Sequence, residues 1–241
     1  MDQSTTIRLD GSDLNEQLAR RDIYAGVHKA LRSLMADTLT RIGRADAEDP
    51  AELSGALAQL RLLLSMCRHH LQHENRFVHP MIEAARAGAS RQTADDHDEH
   101  EQSIAALVEM VDTLERSIGP RPVLLYRLYL RLARFLAENF EHMEVEETHN
   151  TAVLRAAYDD AQIGQMIERL HAAIEPPVMA EFMRWMIPAV SHPERVGMLT
   201  AIRNDAPAGV FDALLADVRS RLDAPAWQRL TQALAGGNAA A

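Results

Sequence analysis

The sequence predicts an all-α protein, an up-down-up-down four-helix bundle followed by a C-terminal helical extension. Three observations carry this. Apolar residues recur at steps of three and four through residues 21–160, the spacing that lines one face of a helix. The marked segments are separated by short connections rich in Gly, Pro and Asp, which suit antiparallel neighbours. No glycine-rich strand–turn–helix unit and no useful period-2 run appears.

The first helix is set by Tyr24, His28, Leu31, Met35 and Ile42 and ends near Gly43. RADAEDP then supplies turn and capping residues, with Pro50 placed to open the second helix. There Leu60, Leu63, Cys67, His70, Glu74, Phe77 and Met81 form the inward stripe. Pro80 has no N–H to donate and is expected to kink or end that helix. After the AGAS connection at 87–90, Thr93 with Asp95 and Asp96 reads as the cap of the third helix. Its stripe is His97, His100, Ile104, Leu107, Val111 and Leu114, and SIGPRP stops it. The fourth helix carries Leu125, Leu128, Leu132, Phe135, Asn139, His142, Glu146, His149 and Val153, with a charged outer face.

Outside this bundle (21–160), residues 1–20 read as a polar arm and 236–241 as a disordered tail. The extension (161–235) consists of shorter amphipathic units, among them SHPERVGMLTAI with Ser191 as cap and Pro193 in the first turn. It is expected to pack on the bundle, or to serve a homodimer or a partner protein.

Composition narrows the function classes. Of 241 residues, 47% are apolar and 25% charged, enough for a buried core. A net charge of −10 argues against a nucleic-acid partner, whose phosphates need Lys and Arg. No run approaches the ~20 apolar residues of a membrane span, and the start lacks signal-peptide order, so a cytoplasmic protein without a membrane partner is expected. The lone Cys67 allows no internal disulfide. Histidine stands out: nine of 11 fall between His28 and His149.

The polar positions on the four stripes are His28, His70 with Glu74, His97 with His100, and His142 with Glu146. Residues three or four apart share a helix face, so each pair points inward together. If the second helix breaks at Pro80, all seven fall at one level of the bundle, given ~1.5 Å rise per residue. Uncompensated, each buried polar group costs ~1–3 kcal/mol, a sum comparable to the whole ~5–15 kcal/mol stability of a domain. Metal coordination removes that deficit. Seven N and O ligands without a Cys pair exceed a structural zinc site and suit two metal ions bridged by the glutamates. Iron fits such a donor set; manganese or zinc is not excluded by ligand type. A ferritin-like site needs paired Glu-x-x-His motifs, and only Glu146 to His149 supplies one.

These residues resemble the hemerythrin-like, His-His-Glu cation-binding proteins. The match lies in VHKALR around His28, HHLQHENRFVHP around His70 and Glu74, DDHDEHEQSI around His97 and His100, and ENFEHMEVEETHN around His142 and Glu146. The resemblance implies a non-heme di-iron centre, two iron ions per chain, that meets O2, NO or peroxide at an open position. It further implies His28, His70, His97 or His100 or both, and His142 as terminal ligands, with Glu74 and Glu146 as bridges. Oxygen-carrying hemerythrins use His-x-x-x-His and His-x-x-x-x-Asp on the third and fourth helices. Here the spacings are three and four, which points away from reversible O2 carriage towards sensing or protection, with a peroxide-consuming or iron-oxidising enzyme, or iron storage, as the alternative. If only one histidine of the third helix binds, His100 is favoured. Glu147 competes with Glu146 but lies off the stripe, His149 reads as core or as support for a ligand, Tyr24 as packing next to His28, and His79 carries no assignment.

Overall fold

The computed structural model describes residues 22–117, 120–206 and 209–236, and these are all-helical apart from turns. The expected polar arm, and the expected tail beyond Gly236, lie outside the described residues. Four rods form the bundle. The first is α1 (Ala25–Arg44). The second is α2 (Pro50–His73), a π-helical turn at Glu74–Val78, and α3 (His79–Ala85). The third is α4 (Arg91–Arg116). The fourth is α5 (Arg121–Val145), a π-helical turn at Glu146–Asn150, and α6 (Thr151–Ala157). Each rod packs on the next, and the fourth closes on the first.

The local signals explain most boundaries. Asp49 accepts from the N–H groups of Ala51 and Glu52 at 2.9 and 3.0 Å, with Pro50 at the first helical position as expected. Two expectations are corrected. Of the two outcomes expected at Pro80, a kink or an end, the end does not occur, and the second rod runs on to Ala85. The wide π turn just before the proline gives the His79 N–H to the Glu74 carbonyl, five residues back, and the helix resumes through Pro80. The third rod also begins earlier than Thr93, at Arg91 after Ser90. Its start is closed from outside the helix. The Glu83 carboxylate accepts from the Gly88 N–H, the Ser90 N–H and the Ser90 hydroxyl at 2.7–2.9 Å, and Gly88 takes the positive φ of 78° that this turn needs.

The π turns also move the inward stripe by one residue. In the second rod the buried side chains after Glu74 are Val78, His79 and Ile82, not Phe77 and Met81. In the fourth rod Asn150 is buried and His149, expected inside, is exposed, with its ring nitrogen 2.9 Å from Arg86. The cause is the same in both: one extra residue per turn advances everything that follows by about 100°.

The main core fills the bundle with Leu31, Leu34, Leu60, Leu63, Ile104, Leu128 and Phe135, each side chain contributing ~1.5–3 kcal/mol on burial. Cys67 belongs to it, and burial pushes its thiol up to about 12, so it acts as a small hydrophobe. A smaller cluster of Tyr24, Val78, Ile82, Leu154 and Met166 closes one end. The polar layer lies between these two clusters.

The extension is α7 (Asp160–Ala173), α8 (Pro176–Ala189), α9 (His192–Asp205), α10 (Val210–Arg221) and α11 (Ala224–Gly236). Asp159 and Gln162 close a reciprocal cap at the start of α7, and the Ser191 N–H donates to Glu194 at 2.8 Å at the start of α9. Ile187, Leu199, Val218, Leu230 and Leu234 give the extension a core of its own, while α8 packs along α1 and α7 against the first π turn. Among the described residues no helix is long and apolar enough to cross a membrane.

Candidate metal centre

Two π turns and two straight helices place the site. Glu74 and Glu146 each open a π turn, one turn after His70 and His142, so each rod presents an imidazole and a carboxylate inward. The straight helices α1 and α4 supply His28 and His97. All six side chains are buried.

The inward atoms lie close together. His28 Nε2 is 3.1 Å from His70 Nε2, 3.3 Å from Glu146 Oε2 and 3.9 Å from Glu74 Oε1. His97 Nε2 is 3.1 Å from His142 Nε2, 3.5 Å from Glu74 Oε2 and 3.8 Å from Glu146 Oε1. His70 Nε2 reaches Glu74 Oε1 at 3.3 Å, and His142 Nε2 reaches Glu146 Oε2 at 3.4 Å. Two groups of four result: His28, His70, Glu74 and Glu146, and Glu74, His97, His142 and Glu146, with the donor atoms of each within 4.8 Å of one another. Both glutamates belong to both groups.

The outer nitrogens show what these inner atoms need. His28 Nδ1 donates to Glu147 Oε1 at 3.0 Å, His97 Nδ1 to Asn75 Oδ1 at 2.7 Å and His142 Nδ1 to Asp96 Oδ2 at 3.2 Å. Glu147 is itself held by Arg32. A neutral imidazole carries one proton, so three rings braced at Nδ1 turn bare Nε2 lone pairs inward. Those of His97 and His142 face each other at 3.1 Å, which is repulsive without a cation or proton between them. All four oxygens of Glu74 and Glu146 lack a hydrogen-bond partner among the described residues. Lone pairs and orphaned carboxylate oxygens converging in a buried layer are the donor set of a cation site, and the outer acceptors are the supports that orient metal-binding histidines.

The charge states follow from burial. Desolvation, then the nearby imidazolium charge of His28, holds His70 well below the usual histidine range. Desolvation also lowers His142. Desolvation, then the charge of Glu146, raises the Glu74 carboxyl well above its usual range. Burial would lower His28, but Glu146 and Glu147 outweigh it and leave it raised.

Of the seven residues read from the sequence, six meet in this layer. The seventh, His100, is also buried, but joins neither group of four. Its ring stands edge-on to His142 at 5.0 Å and to Phe135 at 5.9 Å. Between the two histidines of α4 it is thus His97, not His100, whose Nε2 reaches the carboxylates. His79, which carried no assignment, lies in the same layer: its ring stacks on His97 at 4.8 Å and its Nε2 meets Thr93 Oγ1 at 3.3 Å. Tyr24 stacks on His28 at 5.2 Å, 1% exposed, its hydroxyl without a hydrogen-bond partner among the described residues.

Compared with known protein families, residues 21–154 match the model of the hemerythrin HHE cation-binding domain, more than half of the chain. The chain belongs to the hemerythrin HHE cation-binding family. No curated protein and no solved structure matches it. The helical architecture and the buried His/Glu groups accord with that family, and the α8–α11 mini-core lies beyond the matched region.

The supporting acceptors Asn75, Asp96 and Glu147 were not legible as such. Asp96 reads as a helix-start charge and Glu147 as a competitor of Glu146 lying off the stripe, while Asn75 carries no reading. The one available signal was their adjacency in sequence to His97, Glu74 and Glu146.

Proposed function

We propose that this hemerythrin-family chain holds two iron ions per chain and binds O2, NO or peroxide there in oxygen, redox or nitrosative sensing or protection. The observation that carries the reading is the pair of four-residue groups sharing both Glu74 and Glu146. Two ions with two common carboxylates account for all four orphaned oxygens and all four inward Nε2 atoms. His28 and His70 would hold one ion, His97 and His142 the other, and the two glutamates would bridge. When bound, iron supplies open coordination positions and reversible electron transfer for a small oxidant or diatomic ligand. The protein's own part is to hold His70 and His142 uncharged by burial, fix the rings of His28, His97 and His142 through Glu147, Asn75 and Asp96, and flank the layer with two apolar clusters.

In the sensing reading, α1 is the conduit. It carries His28 and packs along α8, so a change at the centre has a direct mechanical route to the C-terminal helices, where a second copy or a partner protein would respond. A second reading, a peroxide-consuming or iron-oxidising enzyme on the same centre, is favoured by Tyr24, a buried phenol stacked on a ligand histidine. Turnover separates the two: sustained peroxide loss or Fe(II) oxidation beyond one equivalent supports the enzyme.

The test is metal analysis of protein expressed with ample iron, with an optical spectrum before and after NO. Two irons per chain and bands that respond to NO are expected. Stoichiometric zinc without iron would overturn the proposal.

A further inference from the structure

Between the bundle and the extension lies a cavity of about 1000 Å³. One wall is α1 and the second rod, with Tyr24, Gly26, His70 and Glu74 reaching it; the others are α7, α8, α9 and α10. Its surface is mainly hydrocarbon and thioether. Met179, Met183, Met186, Met198, Ile202 and Leu214 all face it and are only half-buried for that reason. Gly26 forms part of the floor: a Cβ there would stand 3.3 Å from Met186 Sδ and 3.4 Å from Met198 Cε, so the missing side chain lets these methionines lie against α1.

Large apolar side chains turned towards one shared space, rather than scattered over the surface, mark a binding site. The space is open to solvent on one side, and its volume is that of a ligand-binding cleft, which runs to ~1000 Å³. Methionine is suited to such a wall because its flexible thioether repacks around different shapes. Charge selects the ligand class. Arg184, the only arginine or lysine among the described lining residues, is taken by Asp217 at 3.2 Å and Glu181 at 3.2 Å. Asp22 is also occupied, accepting from the Tyr24 and Ala25 N–H groups at 2.9 and 3.1 Å. No spare arginine or lysine is offered to a carboxylate or phosphate head, and burial holds the lining imidazoles of His73 and His171 below the usual histidine range; the Asp22 and Asp217 carboxylates are already engaged and Glu74 belongs to the metal layer.

We infer that this cavity binds an uncharged, mainly hydrocarbon small molecule, of the class of a long-chain alcohol or a prenylated neutral ring, lying against the Tyr24–Glu74 side of the metal layer. The site belongs to the added C-terminal helices as much as to the bundle, and the inference does not depend on which metal or diatomic ligand the centre takes.

The experiment is a fluorescence titration of the full chain, as purified, with the uncharged fluorophore N-phenyl-1-naphthylamine. Competition with 1-dodecanol and with dodecanoate follows. Saturable binding near one equivalent is expected, displaced by dodecanol in preference to dodecanoate. The space-filling variants Met183→Trp and Ile202→Trp should each weaken the probe by about tenfold or more with helical circular dichroism and metal content unchanged. Absence of saturable binding, preference for dodecanoate, or full binding in folded variants of both kinds overturns the inference. Since the competition uses the unaltered protein, it decides the ligand class even where a tryptophan variant does not fold.

Discussion

Glu74→Met should act in opposite directions on the metal-free and metal-loaded protein. In the folded chain both Glu74 oxygens are buried and without hydrogen-bond partners among the described residues. Burial and the neighbouring Glu146 charge raise its carboxyl, so without metal it stays protonated and neutral. The cost is therefore at least that of an unsatisfied neutral polar group, ~1–3 kcal/mol, with the cost of keeping the carboxyl protonated above its ordinary range added to it, and not that of a buried charge. Methionine keeps the length and removes the polar atoms. The metal-free variant should gain at least about 2 kcal/mol, a rise in Tm of no less than roughly 4–8 °C for a chain of this size. With metal the sign inverts. A cation at ~100 times its Kd adds about 2.7 kcal/mol to the wild type. Glu74 belongs to both groups of four, so the variant should lose most of that increment. The assay is thermal unfolding by circular dichroism, in chelator and in excess metal. A metal-free variant less stable than wild type, combined with an intact metal-dependent rise, would refute the assignment of Glu74 as a ligand held for a cation.

Three further outcomes are expected. Burial foremost, then nearby imidazoles, pulls His79 and His100 to about 4, against ~6.5 in the unfolded chain. The unfolded state then binds more protons between those values, so metal-free stability falls as pH drops from ~6.5 to about 4 and the loss is complete below it. His79→Gln should flatten that dependence by roughly 2 kcal/mol in urea titrations at pH 7 and pH 4; Glu74, raised and so acting in the opposite sense, is common to both proteins, and an unchanged slope would contradict the assignment. Glu147→Ala removes the acceptor that orients His28 and should weaken metal binding by about 10–100-fold in chelator competition, with Glu147→Gln recovering part of it; equal affinity in all three proteins would mean that the Nδ1 contact orients nothing. Glu83→Ala should lower Tm and speed amide exchange at Gly88 and Ser90, because its carboxylate closes the start of α4, and unaltered exchange there would show the turn to be held by other contacts.

The bundle was legible because its stripes obey one period over many turns, and buried polar residues on such stripes are conspicuous against leucines. His28, His70, Glu74, His142 and Glu146 stand at stripe positions that any inward-facing reading selects. The choice between His97 and His100 was not legible: both lie on the same face of α4 and both are buried, so only the axial level distinguishes them. That level depends on where the second rod ends, and Pro80 misleads, because a π turn supplies the room that an α-helix lacks at a proline. His149 and Phe77 fail for the same reason, each lying beyond a phase shift that leaves no trace in composition. The cavity at the extension escapes a linear reading altogether, since Gly26, His70, Met183 and Leu214 are distant in sequence and meet only through packing.

The two π turns also give the centre an internal repeat. His70-x-x-x-Glu74 and His142-x-x-x-Glu146 each lead into a five-residue π turn, and the residue after each glutamate braces a histidine on a straight helix. Asn75 accepts from His97, and Glu147 accepts from His28. A regular helix would turn that next residue about 100° from its predecessor; in the wider turn both neighbours serve one layer, the glutamate through its inner face and the next residue through the back of an imidazole. The halves are not equivalent in charge. Glu147 is an anion held by Arg32, whereas Asn75 is neutral, so His28 is the more electron-rich donor of the two. Surroundings add to the difference: Tyr24 and the apolar cavity border the His28–His70 side, while His79 and His100 flank His97 and His142. Two like ions placed in such a frame would differ in affinity and in exposure, and the side facing Tyr24 and the cavity is the one that an incoming apolar molecule meets first.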